Sequence, residues 1–375
     1  MKRLSALCFC ILVLAACSSK VKNGESDTMV DKKTLGYLPT EKQPVLSKVT
    51  EFRGVQVTGV TVTESGRLFA NFPRWRANVP YSVVEVMPDG SHKLYPDEKW
   101  NTWTGKPEKN KFTCVQSVFA HKNSLYVLDP SNPENKGVVG RPMLYEFDLA
   151  TNKLKRSWSF DEAVAPSQSY LNDIRIDAAN SKAYITDSGL GGIVVLNLKN
   201  GSSKRVLDKH PSTKSENVIL TVEKKKFLLN DGSTPRIHSD GIALSPDGQK
   251  LYYHALTGYH LYRVPTDALI RESRNETELV KKVENLGVTP APDGMIFDQK
   301  GNLYMADLER NAVSYRTPSG EMKILIQDER IKWPDTFTID AENNLIFTDS
   351  LLQDATFGKD VSEMSFNIYK VALPR

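Results

Sequence analysis

From Ser239 to Pro265 the chain reads SDGIALSPDGQKLYYHALTGYHLYRVP. A carboxylate opens the stretch. Ile242 and Leu244 are apolar and Ala243 between them is small, which predicts a strand buried on both faces. Pro246-Asp247-Gly248 supplies a turn, since glycine tolerates positive φ at little cost. Leu251 to Tyr253 and Leu261 to Val264 are β-rich runs that predict a second and a third strand. Glu278 to Val283 is more polar and is expected as the outer edge. The same sentence returns from Pro292, from Pro334 and from Tyr170, and more loosely from Cys114 and Thr58. Six copies at a spacing of roughly 40 to 70 residues indicate radial repetition. The expected fold is all-β, a six-bladed β-propeller with four-stranded antiparallel blades around a central channel.

Between the copies the pattern predicts three further features. Val49 to Arg53 reads as a strand before the first blade, placed to complete the last blade and close the ring. The excursion from His210 to His238 carries Val218-Ile219-Leu220 and Phe227-Leu228-Leu229, which predict a hairpin over one face. Thr266 to Arg271 is expected as one short helical turn, with Thr266 or Asp267 as its cap.

The first 48 residues follow another grammar. Lys2 and Arg3 precede an apolar run, Leu4 to Val13, too short for an ordinary membrane span, and Leu14-Ala15-Ala16-Cys17 has the small residues of a cleavage site. The LAAC tetrapeptide resembles a bacterial lipobox. That resemblance implies cleavage before Cys17 and lipid on its sulfur, with an ordinary secretory signal as the plainer alternative. The expected layout is a signal peptide over 1–17, a flexible tether over 18–48 and the propeller over 49–375. The protein is then exported to the bacterial envelope and held on its membrane, the outer one by preference, through Cys17. The formal net charge of +4 includes Lys2 and Arg3. No basic stripe with interleaved aromatics is present, so nucleic acid is not expected as a partner. Of the 4 cysteines, Cys8 and Cys10 lie in the signal and Cys17 takes lipid. Cys114 remains alone, which excludes an intramolecular disulfide framework. A monomer is expected.

Several ordered segments resemble the major royal jelly protein and yellow protein family. FANFPRWRANVPYSVVEV with KLYPDEKWN resembles its opening, LNDIRIDAANSKAYITDSGLGGIVVLNLKNGSSKRVL its middle, and SDGIALSPDGQKLYYHALTGYHLYRVPTDAL its most telling segment. The match runs from about Val49 to Leu373. It implies the same six-bladed propeller and kinship with gluconolactonase-like propellers, which hold a metal in the central channel. It also implies a choice of activities, from dopachrome conversion to binding of small aromatic amines, so kinship of fold leaves function open.

Candidate chemistry comes from aligning the repeats on their first strands. Thr58, Cys114, Asn172, Asp240, Asp293 and Asp335 then share one position, nearest the axis at one mouth of the channel. Convergent oxygens from Asn172, Asp240 and Asp293 suit a hard cation such as Ca²⁺ or another divalent ion. Alternatively, crowded carboxylates raise one another's pKa, and Asp240 or Asp293 serves as acid or base. The gluconolactonase-like relatives supply an acidic ligand from the first blade, where Thr58 stands here. His238, two residues before Asp240, is a candidate general base. Arg74 and Trp75, with Asn172 and Asp335, are candidate ligand-binding residues, Trp75 offering a flat face. A second repeated set, Asp129, Asp187, Asp307 and Asp349, reads as turn caps.

Three functions fit these residues. The first is an enzyme acting on a small cyclic or aromatic molecule at the axis, tautomerase- or lactonase-like. The second is a non-catalytic binder of small aromatic or amine ligands. The third is a protein-interaction scaffold at the envelope.

Overall fold

The computed structural model describes residues 38–39, 43–271, 275–355 and 359–374. Within them the six repeats fold as six blades of a β-propeller. Blade one spans Gly59–Val62 to His92–Leu94, blade two Ser117–His121 to Lys153–Ser159, and blade three Leu171–Asp177 to Ser203–Val206. Blade four runs from Ser239–Leu244 to Glu284–Val288 and blade five from Met295–Phe297 to Met322–Gln327. Each of these five is an antiparallel meander of neighbouring strands.

Blade six is assembled from both ends of the chain. Pro334–Ile339, Asn344–Asp349 and Ser365–Ala372 are its three inner strands, and Ser47–Arg53 is its fourth. The register pairs Lys48 with Tyr369, Phe52 with Phe366 and Arg53 with Ser365. The closing strand begins at Ser47, two residues before the expected edge of the propeller. Leu38–Pro39 adds a short parallel pairing to the outer strand of blade five, so the last part of the expected tether carries strand. The signal peptide, Cys17 and the rest of that tether lie outside the described residues.

Apolar side chains pack between blades, as radial repetition requires. Leu128, Trp158, Ile174 and Ile185 fill the seam between blades two and three. Phe69, Tyr95, Val127 and Phe147 fill that between one and two. Phe52, Phe72, Ile346 and Phe366 fill that between six and one. The outer strand of blade four lies later than expected. Glu276–Val280 is a helix and Glu284–Val288 the strand, because Leu279 turns inward and is fully buried against the seam with blade three. The expected turn at Thr266–Arg271 is helical. The excursion before blade four forms a hairpin, Thr221–Val222 against Lys225–Lys226, whose Phe227 lies 5.0 Å from the ring of Trp333. No helix among the described residues is long and apolar enough to cross a membrane.

Candidate active site at the acidic mouth of the channel

Strand register fixes which residues reach the axis. Ile174 pairs with Ile185, Ile242 with Tyr253, Met295 with Met305 and Phe337 with Phe347. Val118 pairs with Val127 and Val60 with Ala70. Two residues before these lie Asn172, Asp240, Asp293, Asp335, Gln116 and Thr58. The alignment of the repeats is therefore right in five blades and wrong in blade two, where Gln116, not Cys114, holds the axial position. Cys114 is fully buried two residues upstream, its backbone N–H on Asp129 Oδ1 at 2.9 Å.

Two features of the sequence bring this ring together. A side chain late in the second strand reaches the axial carbonyl of the next blade. Asn71 Nδ2 donates to Gln116 O at 2.9 Å, Thr186 Oγ1 to Asp240 O at 2.7 Å and Thr348 Oγ1 to Thr58 O at 2.5 Å. Glycine after the aspartate admits close packing. A Cβ on Gly241 would lie 2.6 Å from Asp293 O, and one on Gly294 2.5 Å from Asp335 O. That is the physical content of the Asp-Gly dipeptides.

The repeated aspartates that end the second strands orient the segment entering each blade, as turn caps do. Asp129 accepts from the amides of Thr113, Cys114 and Ser131, Asp187 from those of Tyr170, Gly189 and Leu190, and Asp349 from those of Lys332 and Trp333. Asp307 accepts from Ser314 Oγ at 2.8 Å and pairs with Arg310 Nη1 at 3.2 Å.

At the mouth, Asp240, Asp293 and Asp335 are all buried and line one cavity of about 240 Å³. Burial raises the pKa of each, and their mutual repulsion, with that of Asp173 below them, raises Asp240 and Asp335 further. The carboxyl of Asp240 hydrogen-bonds to that of Asp293. Trp333 Nε1 donates to Asp293 Oδ2 at 2.6 Å and opposes the rise there. Trp333 and the contact with Asp240 hold the rise at Asp293 to about 8, while Asp240 is pushed well above the carboxylate range.

The rest of the wall is a chain of neutral hydrogen bonds. Trp75 Nε1 donates to the Tyr170 hydroxyl at 2.6 Å, which donates to Gln116 Oε1 at 2.7 Å. Gln116 Nε2 donates to Asn172 Oδ1 at 3.0 Å, and Asn172 Nδ2 to Ser188 Oγ at 3.0 Å. Trp75, Gln116, Tyr170, Asn172 and Ser188 all line the cavity. It therefore joins an acidic floor to a wall of aromatic rings and fixed amides.

Of the residues expected at the site, Trp75, Asn172, Asp240, Asp293 and Asp335 meet there. Arg74 does not. It is buried behind the wall, donating to Val79 O at 2.9 Å and Asn101 O at 2.6 Å, and so shapes the loop that carries Trp75. His238 is also displaced from the cavity, which its neighbour Ile237 lines instead. Its Nδ1 accepts the Ser215 amide at 2.9 Å, and burial pushes its pKa down to about 4. Gln116, Tyr170 and Trp333 are the members that the repeat alignment does not single out. Tyr170 and Trp333 stand two residues before an axial residue, the position that His238 holds in blade four and Cys114 in blade two.

A divalent cation at this ring does not fit the donors present. Asn172 Oδ1 accepts from Gln116 and Asp293 Oδ2 from Trp333, Asp240 and Asp293 contact each other, and Thr58 brings no charge to the ring. Among the described residues no group of three or more His, Cys, Asp or Glu is disposed to hold a metal ion.

Comparison with known proteins places this geometry in context. The family model described as major royal jelly protein matches residues 120–374. Major royal jelly protein 7 of Apis mellifera is 26% identical over 205 residues, 52% of this chain and 45% of its own length. Protein yellow of Drosophila subobscura is 24% identical over 366 residues, 90% of this chain and 61% of its own length. The chain spans about half the length of the first of these. Among solved structures, a gluconolactonase from Xanthomonas campestris superposes with a TM-score of 0.55 at 14% identity, covering 88% of this chain and 89% of that one. Regucalcin, a calcium-binding protein from Agrobacterium tumefaciens, superposes with a TM-score of 0.53 at 14% identity, covering 90% and 97%. These structural likenesses are likenesses of fold.

Proposed function

The chain belongs to the major royal jelly protein family, and from that footing we propose that it transfers protons on a small cyclic or aromatic molecule at the acidic mouth, in a tautomerase- or lactonase-like reaction. The observation that carries this reading is the unequal carboxyl pair, Asp240 in contact with Asp293 and the Trp333 indole N–H on Asp293 alone, on the floor of a cavity walled by Trp75 and Tyr170. Two titrating groups whose surroundings push them apart supply an acid and a base together. In a tautomerisation, Asp293 accepts a proton from one substrate atom while Asp240 gives its own to another. The pair then holds one proton as before and is reset by transfer between the two carboxyls. Trp75 and Tyr170 stack the ring of the substrate, and Gln116, Asn172 and Ser188 fix its polar edge. A cavity of about 240 Å³ admits a single small ring system. No step of this reading passes through a metal ion.

Turnover of dopachrome and of a lactone panel by the wild type, abolished by Asp240→Asn with the fold intact, is the expected result. A second reading, a non-catalytic binder of small aromatic or amine ligands, draws on the wall, where Trp75 and Tyr170 hydrogen-bond each other and present apolar ring faces. Ligand-induced melting shifts without turnover of any panel member select it.

The setting belongs to the same proposal: a monomer exported to the cell envelope and held on its membrane by lipid on Cys17, with a small molecule and no nucleic acid as partner. Cys17→Ser is expected to move the protein from the membrane pellet to the soluble exported fraction. Retention of the variant in the pellet overturns the anchor.

A further inference from the structure

The opposite mouth of the channel is chemically unlike the first. Three residues below the acidic ring, the same strand register brings Thr61, Phe119, Arg175, Ala243, Ile296 and Thr338 to one level. Arg175 carries the one charge of this ring. All but Ala243 line a cavity of about 550 Å³ that opens away from the acidic mouth. Arg175 is 6% exposed and spans the axis, donating Nη1 to Ile174 O and Nη2 to Met295 O, both at 2.7 Å. Met295 belongs to blade five, two blades around the ring. The guanidinium carbon lies 5.6 Å from the centroid of Phe119. Asp173 approaches only to 3.9 Å, beyond hydrogen-bond length, and its Oδ1 takes Ser117 Oγ at 3.1 Å.

A guanidinium has five N–H donors in a fixed fork, and a cation taken out of water needs an anion in good geometry. Here two donors go to neutral carbonyls and the Asp173 carboxylate stands off at 3.9 Å, while the group lines open space. Val62, Phe119 and Ile296 give that space apolar walls. Glu64, Asp298 and Asp340 at its rim repel multiply charged anions.

We propose that this mouth is a second ligand site, which takes a small organic monocarboxylate with its head on Arg175 and its apolar body along Phe119 and Ile296. The site is independent of the carboxyl pair at the other mouth. Arg175 recognises the head through its remaining N–H groups, the aromatic ring beneath it holds the guanidinium plane, and the rim limits the ligand to one charge.

Calorimetric titration of benzoate, phenylacetate and inorganic phosphate into the full chain tests this. Saturable binding of the two carboxylates, unchanged in Asp240→Asn and weakened by about tenfold or more in Arg175→Met, is the expected result, with phosphate weaker than either. Ile296→Glu places a carboxylate of the chain itself beside Arg175 and is expected to abolish binding without removing the arginine, so the test survives a poorly folded Arg175→Met. No saturable heat from either carboxylate in the wild type overturns the site. So does full affinity retained in Ile296→Glu, loss in Asp240→Asn rather than Arg175→Met, or phosphate bound more tightly than the carboxylates.

Discussion

Trp333 and Asp293 are joined by an indole N–H to carboxylate hydrogen bond of 2.6 Å, and Trp333 is fully buried. Its backbone N–H is held by Asp349 Oδ1 at 2.5 Å and its ring by Phe227, so the donor cannot turn away. Trp333→Phe keeps most of the packing and deletes the donor. The buried carboxylate of Asp293 then loses its strongest stabilising partner, and its pKa moves further up. In a pH–rate profile of any turnover found, the limb that reports the base is expected to shift to higher pH, with about 1–3 kcal/mol lost in stability. An unchanged profile in a folded variant shows that Trp333 does not set the state of Asp293.

The stacked carboxyls make stability depend on pH in a direction opposite to ordinary paired acids. Asp240, Asp293 and Asp335 have folded-state pKa values above those of the unfolded chain. Over that window the native state binds more protons, so stability falls as pH rises. The window opens near the ordinary carboxyl value of about 4 and reaches at least to about 8, where Asp293 titrates. Chemical denaturation at several pH values is expected to show the decline in wild type. Asp240→Asn removes one carboxyl and should flatten the slope, with a gain on the order of 1 kcal/mol at pH 8. An equal slope in both proteins separates the decline from this ring.

Calcium provides a third measurement. Axial oxygens accept hydrogen bonds from Gln116 and Trp333, and Asp240 contacts Asp293, so a cation must rearrange these contacts to gather several oxygens. Millimolar Ca²⁺ is expected to change the melting temperature by less than about 1 °C and to give flat calorimetric titrations. A stabilisation that vanishes in Asp293→Asn shows instead that the ring opens to hold the ion.

Closure of the ring has a mechanical test. Phe52, on the strand contributed by the amino-terminal side, is buried with its ring 4.8 Å from Phe72 of blade one. Phe52→Ala is expected to cost about 3–5 kcal/mol. Deletion of 47–53 removes the fourth strand of blade six and should prevent cooperative folding, while deletion of 18–37 leaves the melting temperature unchanged. Equal melting of both truncations and the full chain contradicts closure by this strand.

The fold was legible because its signals are local: Pro-Asp-Gly turns, doubly buried strands and an aspartate at the entrance of blades four, five and six. The axial ring was legible in five blades for the same reason. Blade two escaped because its last inward strand residue is Ala120, a small side chain where the other blades carry Val62, Ile176, Leu244, Phe297 or Ile339. Counting back from Val118 instead lands on Cys114. Arg74 and His238 bear groups that usually mark sites, but their roles are set by distant carbonyls and amides that sequence spacing does not reveal. Tyr170 and Trp333 were invisible for the converse reason. Each looks like a core aromatic, and only the cross-blade partners place Tyr170 at the cavity, through Gln116 and Trp75, and Trp333 against the acidic floor, through Asp293.

The strand that completes blade six meets a partner far along the chain: Ser365 Oγ bonds Glu51 across 314 positions. The ribosome delivers those partners far apart in time. Until Ser365–Ala372 emerges, Ser47–Arg53 has nothing to pair with, and the seam holding Phe52 cannot form. Five blades can assemble in order as they appear, but the ring becomes a single cooperative object only once Ser365–Ala372 is made. Contacts this distant slow folding. Chaperone dependence is therefore expected to concentrate on the waiting amino-terminal strand, whose edge stays unpaired and open to aggregation before closure.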